Sequence, residues 1–327
     1  MTSKEFFNDK FARFYLHEVL IKDHYRTQSF FMSMTMNKHL FRDKYVLDLG
    51  SGTGILSLFA AKAGAKHVFA VECSHMAELS KEVIRKNKKD KVITVIHDKI
   101  ENISKLPLGI DKVDVIVCDW LGHCLLHESM IPSLIYSRNK WLKPGGLIFP
   151  DKSSLYICAI EDNQYNENTT NWWRNVYGFD MTCMHEISLA EPTINFVDPD
   201  KVVTNACLLQ ELDMDTMKAS DLNFSAPFYL KCLQYDKVQA FLIYFDVEFS
   251  KCHTPIAFST SPDSPYTHWK QTIFYLKKPL SVQEGEEIHG VVSMKQNPLN
   301  KNLHITIDVE FAGQYSLLTD TLHYKMS

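Results

Sequence analysis

No stretch of this chain stays apolar for the ~18–20 residues that a membrane-crossing helix needs. Its start, MTSKEFFNDKFARF, carries too many charges and aromatic rings for a secretory signal. The eight cysteines (73, 118, 124, 158, 183, 207, 232 and 252) are scattered and form no CxxC pair, which argues against a disulfide frame or a zinc site and for reduced thiols in cytoplasm or nucleus. Net charge is only −4, so no basic field is available to recruit nucleic acid, and the Trp-, Tyr- and Phe-rich stretches are not interleaved with basic residues. Internal repeats and low-complexity segments are also lacking. What remains is an ordinary globular composition, 45% hydrophobic and 23% charged, in 327 residues, enough for two domains or one large one.

Against this background one segment stands out. Asp48 to Gly54 reads DLGSGTG at the end of the apolar run Tyr45-Val46-Leu47, and Glu72 ends a second apolar run, Val68 to Val71. Glycines at alternate positions let a chain turn sharply after a strand and approach a ligand where a Cβ would collide. Ile55 to Ala63 reads as the helix that follows, and a carboxylate at the end of the second strand suits the two hydroxyls of a ribose. The spacing is G-x-G-x-G, not the G-x-G-x-x-G of dinucleotide folds, and Asp48 precedes it. A carboxylate there repels phosphate and welcomes an amine. S-adenosylmethionine, with its ribose, cationic amine and sulfonium, fits both acids.

From residue 45 to about 150, apolar runs at Val92–Ile96 and Val113–Cys118 alternate with helical patterns at Ala77–Asn87 and Met130–Trp141, so a parallel sheet flanked by helices is expected. Pro144-Gly145-Gly146 is expected to force a turn before a strand at Leu147–Phe149. Ligands of such sheets lie beyond the strand C-termini, where Asp48, Glu72, Asp98 to Glu101 and Asp119 fall. After Pro150, runs at 238–249, 272–275, 288–294 and 303–311 show period-2 alternation, which predicts an antiparallel β-sandwich or barrel. Between the halves, Gln164 to Met184 is rich in Asn, Trp and Tyr and reads as a contact surface for a partner subunit; the alternative is that Trp172, Trp173 and Phe179 pack on their own barrel. Near the start, Phe6, Phe7, Phe11, Phe14 and Tyr15 share a helical face, a stripe expected to be core.

Val113 to Met130 reads VDVIVCDWLGHCLLHESM. Gly122 lets the loop fold back so that Asp119 and Glu128 face one pocket. Paired carboxylates with no metal-ligand constellation suit acid/base work or clamping a cation, and a guanidinium is the natural guest for such a pair. His123 and His127 read as local hydrogen-bonding groups, Lys86 to Lys91 as a solvated helix end, and Cys118 and Cys124 as thiols with no base to activate them. Far downstream, SPYTHWK supplies His268 and Trp269.

These segments resemble the protein arginine N-methyltransferases, and among them the type I, asymmetric-dimethylating branch. The likeness covers nearly the whole chain: VLDLGSGTGILSLFAAKAGAKHVFAVE, the acidic hairpin DWLGHCLLHESM, GLIFPD, WWRNVYGFDM and FSTSPDSPYTHWKQT occur in the family order. It implies N-terminal helices over the cofactor site (1–44), a Rossmann-like domain for S-adenosyl-L-methionine (45–150), and a β-barrel (151–327) carrying a helical dimerisation arm near 165–184. By the same resemblance, Arg26 pairs with the cofactor's methionine carboxylate with His17 close by. Asp48, Gly50 and Gly52 line the cofactor, Glu72 takes its ribose and Glu101 faces its adenine. Asp119 and Glu128 are the acids of the two-glutamate loop, His268 pairs with Asp23, and Trp269 and Met130 wall the arginine site. The implied substrates are arginine-containing proteins, histone tails or glycine-arginine-rich segments, with a homodimer or a heterodimer with a family member, in cytoplasm and nucleus, and with no metal, membrane or direct nucleic-acid partner.

Four positions depart from the family. Asp119 stands where the family has glutamate, which draws the carboxylate back by one methylene, and a displacement of about 1 Å can cost on the order of a hundredfold in rate. Phe7 and Phe11 replace the tyrosines of the YFxxY signature, and Leu20 replaces a methionine thioether. The alternative these raise is a weak or silent subunit that dimerises with and regulates an active relative.

Overall fold

The computed structural model describes residues 13–165, 172–297 and 302–327. The described chain begins with helices α1 (Phe14–Lys22) and α2 (His24–Thr35). They are separated at Asp23, whose side chain caps α2 by accepting from Arg26 N at 3.0 Å. The aromatic stripe does not behave as core where it is described: Phe14 is 57% exposed and Tyr15 70%. It is His17, on another face of α1, that is buried. Phe6, Phe7 and Phe11 lie outside the described residues.

Five parallel strands follow, β1 (Tyr45–Leu49), β2 (His67–Glu72), β3 (Ile93–His97), β4 (Val113–Cys118) and β5 (Leu142–Phe149), hydrogen-bonded in the order β3-β2-β1-β4-β5. Apolar side chains occupy both faces of the central strands, which a sheet covered on both sides by helices requires. The helices are α3 (Ile55–Lys62), α4 (Met76–Lys86) and α5 (Ile131–Trp141). The Pro144-Gly145-Gly146 turn does not precede the last strand, as expected, but interrupts it. Pairing jumps from Val113↔Leu142 to Val115↔Leu147, so the turn loops out as an irregularity inside β5. Strand order reverses between β1 and β4, and the crevice at such a switch point is where a ligand fits.

The remainder is antiparallel. One sheet runs β7 (Thr193–Asn195), β12 (Gln271–Val282), β10 (Asp236–Phe249), β6 (Lys152–Ile160) and β8 (Cys207–Asp213), with β11 (Ile256–Ser259) on β10. The other runs β15 (Leu317–Met326), β14 (Leu303–Ala312), β13 (Glu287–Gln296) and β9 (Phe224–Lys231). Every second residue of β14 is buried, as its sequence alternation demands. Phe228 meets Phe241 and Phe274 meets Tyr324 between the sheets. The sheets also join at their edges, through the Thr204↔Cys232 bridge on one side and the Tyr324 hydroxyl donating to Tyr275 O (2.8 Å) on the other, which closes a flattened barrel. All eight cysteines are unpaired.

The segment after β6 leaves the barrel. Tyr165 stacks on Tyr275, whose hydroxyl donates to Asp162 at 2.7 Å. Beyond it come short turns at Trp172–Arg174 and Thr182–Met184 and helix α6 (His185–Ala190). Trp172 (51%), Tyr177 (89%) and Phe179 (72%) are exposed, so Trp172 and Phe179 do not pack on their own barrel.

Helix α2 ties the two halves together. Phe31 packs edge-on against Phe59 of α3, while Phe30 packs against Phe249 and Tyr25 against Phe258 of the barrel. Just past its end, buried Asn37 accepts from Thr254 N (3.0 Å) and donates to Ser33 O (3.1 Å). Replacing Asn37 by Ala strands the Thr254 amide in a buried seam. The expected cost is about 1–3 kcal/mol of unfolding free energy, read as a lowered urea midpoint with an unchanged slope; an unchanged midpoint would show that the seam contributes nothing.

Candidate active site

A cavity of about 210 Å³ opens at the switch point, bounded by α1, the glycine turn after β1, the end of β2, the segment after β4 and the turn after β11. Of the residues singled out from the sequence, His17, Arg26, Gly50, Gly52, Glu72, Asp119, Glu128, Met130, His268 and Trp269 line it. Asp23, Asp48 and Glu101 do not.

The glycine turn is shaped for close approach. Gly50 (φ 71°) and Gly52 (φ 51°) are left-handed, and a Cβ on either would come within 2.8 Å of a neighbour: the Met130 thioether for Gly50, the His17 ring for Gly52. Glu72 braces the turn, with Oε2 accepting from Gly52 N (2.9 Å) and Oε1 from Ser74 N (2.7 Å). Each oxygen keeps a further lone pair, enough for the two hydroxyls of a ribose. Asp48 lies behind the turn, fully buried, with Oδ2 accepting from Ser57 Oγ (2.6 Å) and Oδ1 without a partner among the described residues. Burial pushes its carboxyl up to about 7, the nearby Glu72 adds to the rise, and the Ser57 hydrogen bond only moderates it. It therefore supports the turn from behind and does not face the cavity. Glu101 stands exposed on a short 3-10 turn, its Oε1 accepting from Ser133 Oγ (2.7 Å). The expected adenine contact is thus not part of the cavity lining. The cradle fits S-adenosylmethionine: two glycines where side chains would collide, a carboxylate for the ribose and a cationic Arg26 for the amino-acid end.

The acidic segment folds back as a tight hairpin. Gly122 bridges Leu125 and His123 bridges His127, with Gly122 N donating to Leu125 O and His127 N to His123 O, both at 2.9 Å. Glycine is required at 122, since a Cβ would fall 1.9 Å from His127 O. Cys124, Leu125 and Glu128 adopt left-handed φ values of 49°, 64° and 59°, a concentration of strained non-glycine residues of the kind found at functional sites. This geometry turns Glu128 into the same cavity as Asp119.

Arg26 is engaged differently from the expectation. Its Nε and Nη2 both donate to Asp119 Oδ2, at 2.8 and 2.6 Å, and Nη1 donates to Leu20 O and Thr27 Oγ1. A guanidinium whose side chain is 5% exposed takes the anion within reach. Asp119 Oδ1 is left buried, with no partner among the described residues. His268 joins Asp23 twice, through its backbone N–H (2.7 Å) and Nδ1 (2.8 Å), both to Oδ2. Burial raises the Asp23 carboxyl, but hydrogen bonds from the His268 ring and from the backbone amides of His268 and Arg26 outweigh it and hold the group below its ordinary value. Trp269 stacks on Phe258, donates from Nε1 to Leu121 O (3.4 Å) and is 2% exposed.

The sequence reading passed over Leu16, Val19 and Ile21 of α1 and Cys73 beside Glu72 as wall residues, and took His123 and His127, which also line the cavity, only as local hydrogen-bonding groups. The apolar residues carry no chemical mark. The two histidines do, because a hairpin that turns at Gly122 sets bridge partners on one face.

Asp48 gives the site a pH signature. The folded chain holds this proton up to about 7 and the unfolded chain releases it near 3.8, so folding takes up a proton between those values and stability falls as pH rises through that window. Asp48→Asn is expected to flatten this fall and to raise the thermal midpoint of the ligand-free protein above that of the wild type at about pH 8. A slope identical in the two proteins would overturn the assignment.

Comparison with known proteins agrees with this geometry. Residues 151–314 match the family model of the arginine methyltransferase oligomerization subdomain, and residues 23–150 match that of ribosomal protein L11 methyltransferase (PrmA). The chain is 49% identical to zebrafish (Danio rerio) protein arginine N-methyltransferase 8-B over all of its length and 77% of that protein's. It is 48% identical to Caenorhabditis elegans protein arginine N-methyltransferase 1, covering 100% of this chain and 94% of the other. Its structure superimposes on a chain of the Trypanosoma brucei PRMT1 enzyme–prozyme heterotetrameric complex with AdoHcy, with a TM-score of 0.93 and 37% identity, over 97% of this chain and 99% of that one. The chain belongs to the protein arginine N-methyltransferase family.

Proposed function

We propose that this chain transfers a methyl group to the guanidinium nitrogens of arginines in protein substrates, histone tails or glycine-arginine-rich segments, to give mono- and asymmetric dimethylarginine. The observation that carries this reading is Asp119 Oδ1, a buried acceptor with no partner among the described residues, in the same cavity as Glu128. A buried unsatisfied carboxylate oxygen costs more than a neutral one, and a guanidinium N–H is the donor that would satisfy it.

When bound, S-adenosylmethionine supplies the electrophilic methyl. Gly50, Gly52 and Glu72 would hold the nucleoside end and Arg26 the amino-acid end. Arg26 also fixes Asp119, so one cation would serve both the cofactor carboxylate and the first acid of the hairpin. Asp119 and Glu128 draw the substrate's positive charge toward the nitrogens they touch and leave the remaining terminal nitrogen richer in electrons. Asp23, held ionised, accepts only, so Nδ1 of His268 carries the hydrogen and Nε2 is the lone-pair nitrogen. A proton must leave the guanidinium as the N–CH3 bond forms, and Nε2 of His268 is the acceptor this pairing prepares. In the same reading the protein works in cytoplasm and nucleus as a ring-like dimer, with the 165–184 arm of one subunit on the helices α1 and α2 of the other. The exposed aromatics of both surfaces, Trp172, Tyr177 and Phe179 on one and Phe14 and Tyr15 on the other, support it.

A second reading has a specific observation behind it. Both Arg26 contacts fall on one oxygen of a shortened acid, and a chain that functions as a silent subunit would keep the fold and lose this reach. The two readings separate in one assay with labelled S-adenosylmethionine and a glycine-arginine-rich peptide. The active reading expects labelled methylarginine from the wild type and a loss of at least about a hundredfold in Glu128→Gln, with cofactor affinity kept. No label from the wild type together with a gain in Asp119→Glu would establish the silent subunit instead. For the arm, removal of 165–184 is expected to convert dimers to monomers in sedimentation and to weaken S-adenosylhomocysteine binding, because α1 and α2 lose their brace; a truncated chain that stays dimeric would refute the arrangement.

A further inference from the structure

The cavity holds more imidazole than the proposed chemistry uses. Four of the chain's 14 histidines line it: His17, His123, His127 and His268. His268 is tied to Asp23, and His17 lies over Gly52. His123 and His127 have no assigned part, yet they are bridge partners on the hairpin that carries both acids, and Glu128 is the next residue. His127 is 6% exposed. His123, half-buried, directs Nδ1 to Trp269 O at 3.3 Å, and since a carbonyl only accepts, the hydrogen sits on Nδ1.

The charged and titratable groups that face this pair come from each wall of the cavity. The hairpin itself supplies Asp119 and Glu128; the Cys124 thiol between the two histidines is not part of the lining, and burial pushes it up to about 12 and so keeps it neutral. The N-terminal helices supply His17 and Arg26, the end of β2 supplies Glu72 and Cys73, and the turn after β11 supplies His268 with Asp23 behind it. Asp48 stands behind the glycine turn. With the imidazoles neutral, the described lining carries three carboxylates (Glu72, Asp119 and Glu128) against the one guanidinium of Arg26 and is net acidic. Protonating His123 and His127 cancels that surplus. In a half-enclosed site a charge a few ångströms from the substrate acts far more strongly than one in solvent.

We infer that His123 and His127 belong to the arginine site and set its affinity for a cationic side chain: neutral, they add no charge against a guanidinium drawn in by the carboxylates, and protonated, they oppose its entry. They act through charge and not as proton acceptors in the transfer, so they are specificity residues. The inference rests on the arginine-substrate reading above. An imidazole titrates near 6.5 in the absence of perturbation, which makes binding of the substrate, separately from the cofactor, sensitive to modest acidification.

The test measures binding, so that it does not depend on turnover. A fluorescent glycine-arginine-rich peptide and the same peptide with citrulline in place of arginine are titrated into protein saturated with S-adenosylhomocysteine, from about pH 8 to about pH 5.5. The arginine peptide is expected to weaken by about tenfold or more across this range while the neutral citrulline peptide changes little. In the His123→Gln/His127→Gln double variant the change should shrink to about threefold or less. Folding of the variant is checked by its S-adenosylhomocysteine affinity and thermal midpoint; should it not fold, His123→Gln alone, at the half-buried position, is expected to give an intermediate slope. Equal slopes in wild type and a folded variant would overturn the inference and move the effect to groups both share, Asp48 among them. A flat profile for the arginine peptide in the wild type would overturn it as well. No binding of the arginine peptide at any pH, with S-adenosylhomocysteine bound, would remove the arginine reading itself and this inference with it.

Discussion

The architecture of the site depends on one buried carboxylate. Asp23 has a fully buried side chain and accepts from Arg26 N in the first turn of α2, the backbone of His268 and the His268 ring. Those groups belong to distant parts of the chain, one over the parallel sheet and the other on the barrel. The junction helps to form the far wall of the cavity: the turn that bears His268 and Trp269 is pinned to α2 through Asp23, and to the hairpin segment through Trp269 Nε1 and Leu121 O. A buried charge is tolerated here because every contact it makes is a donor.

The same helix puts a cation next to the acids. Arg26 lies one turn after Asp23, over the face of Phe30 and against Asp119. A buried ion pair is weak evidence of stability, since desolvating two charges offsets most of their attraction. Its value here is positional. Asp119 is fixed by one oxygen while the other has no partner among the described residues, an arrangement that a donor would relieve. The left-handed residues of the hairpin work in the same direction, because backbone strain at Cys124, Leu125 and Glu128 persists only when the surrounding contacts over-determine it.

Much of this was legible in the sequence, for identifiable reasons. Strands such as Val113–Cys118 and the alternating β14 announce themselves because burial on two faces or one leaves a direct imprint on residue type. The glycine turn and Glu72 were readable because close backbone approach and hydroxyl recognition admit few substitutes. Less legible were features that depend on which of several possible partners a group finds. Nothing in Asp48 itself says that it lies behind the turn, or in Arg26 that Asp119 takes it, or in Glu101 that it turns to Ser133. The described end of the aromatic stripe differs from expectation for a related reason: a helical period marks a contact face without saying whose, and Phe14 and Tyr15 are exposed on this chain. The Pro-Gly-Gly turn was read correctly as a turn, but pairing on both of its sides resumed with the same neighbour, β4.

Helix α2 divides its aromatic contacts between the two halves of the molecule, with Phe31 on α3 and Phe30 and Tyr25 on the barrel. Spreading the halves apart would therefore tear open a continuous apolar seam, at a cost on the scale of several buried rings. The interior is consequently reached through its mouth, and a substrate side chain has to pass that mouth to meet Asp119 and Glu128. Selection among macromolecules would then begin before any contact with the acids: an arginine held flat in a helix or sheet cannot enter, while one on an extended tail or a projecting loop can. The rigidity that assembles the reacting groups acts as a filter for disorder in whatever is modified.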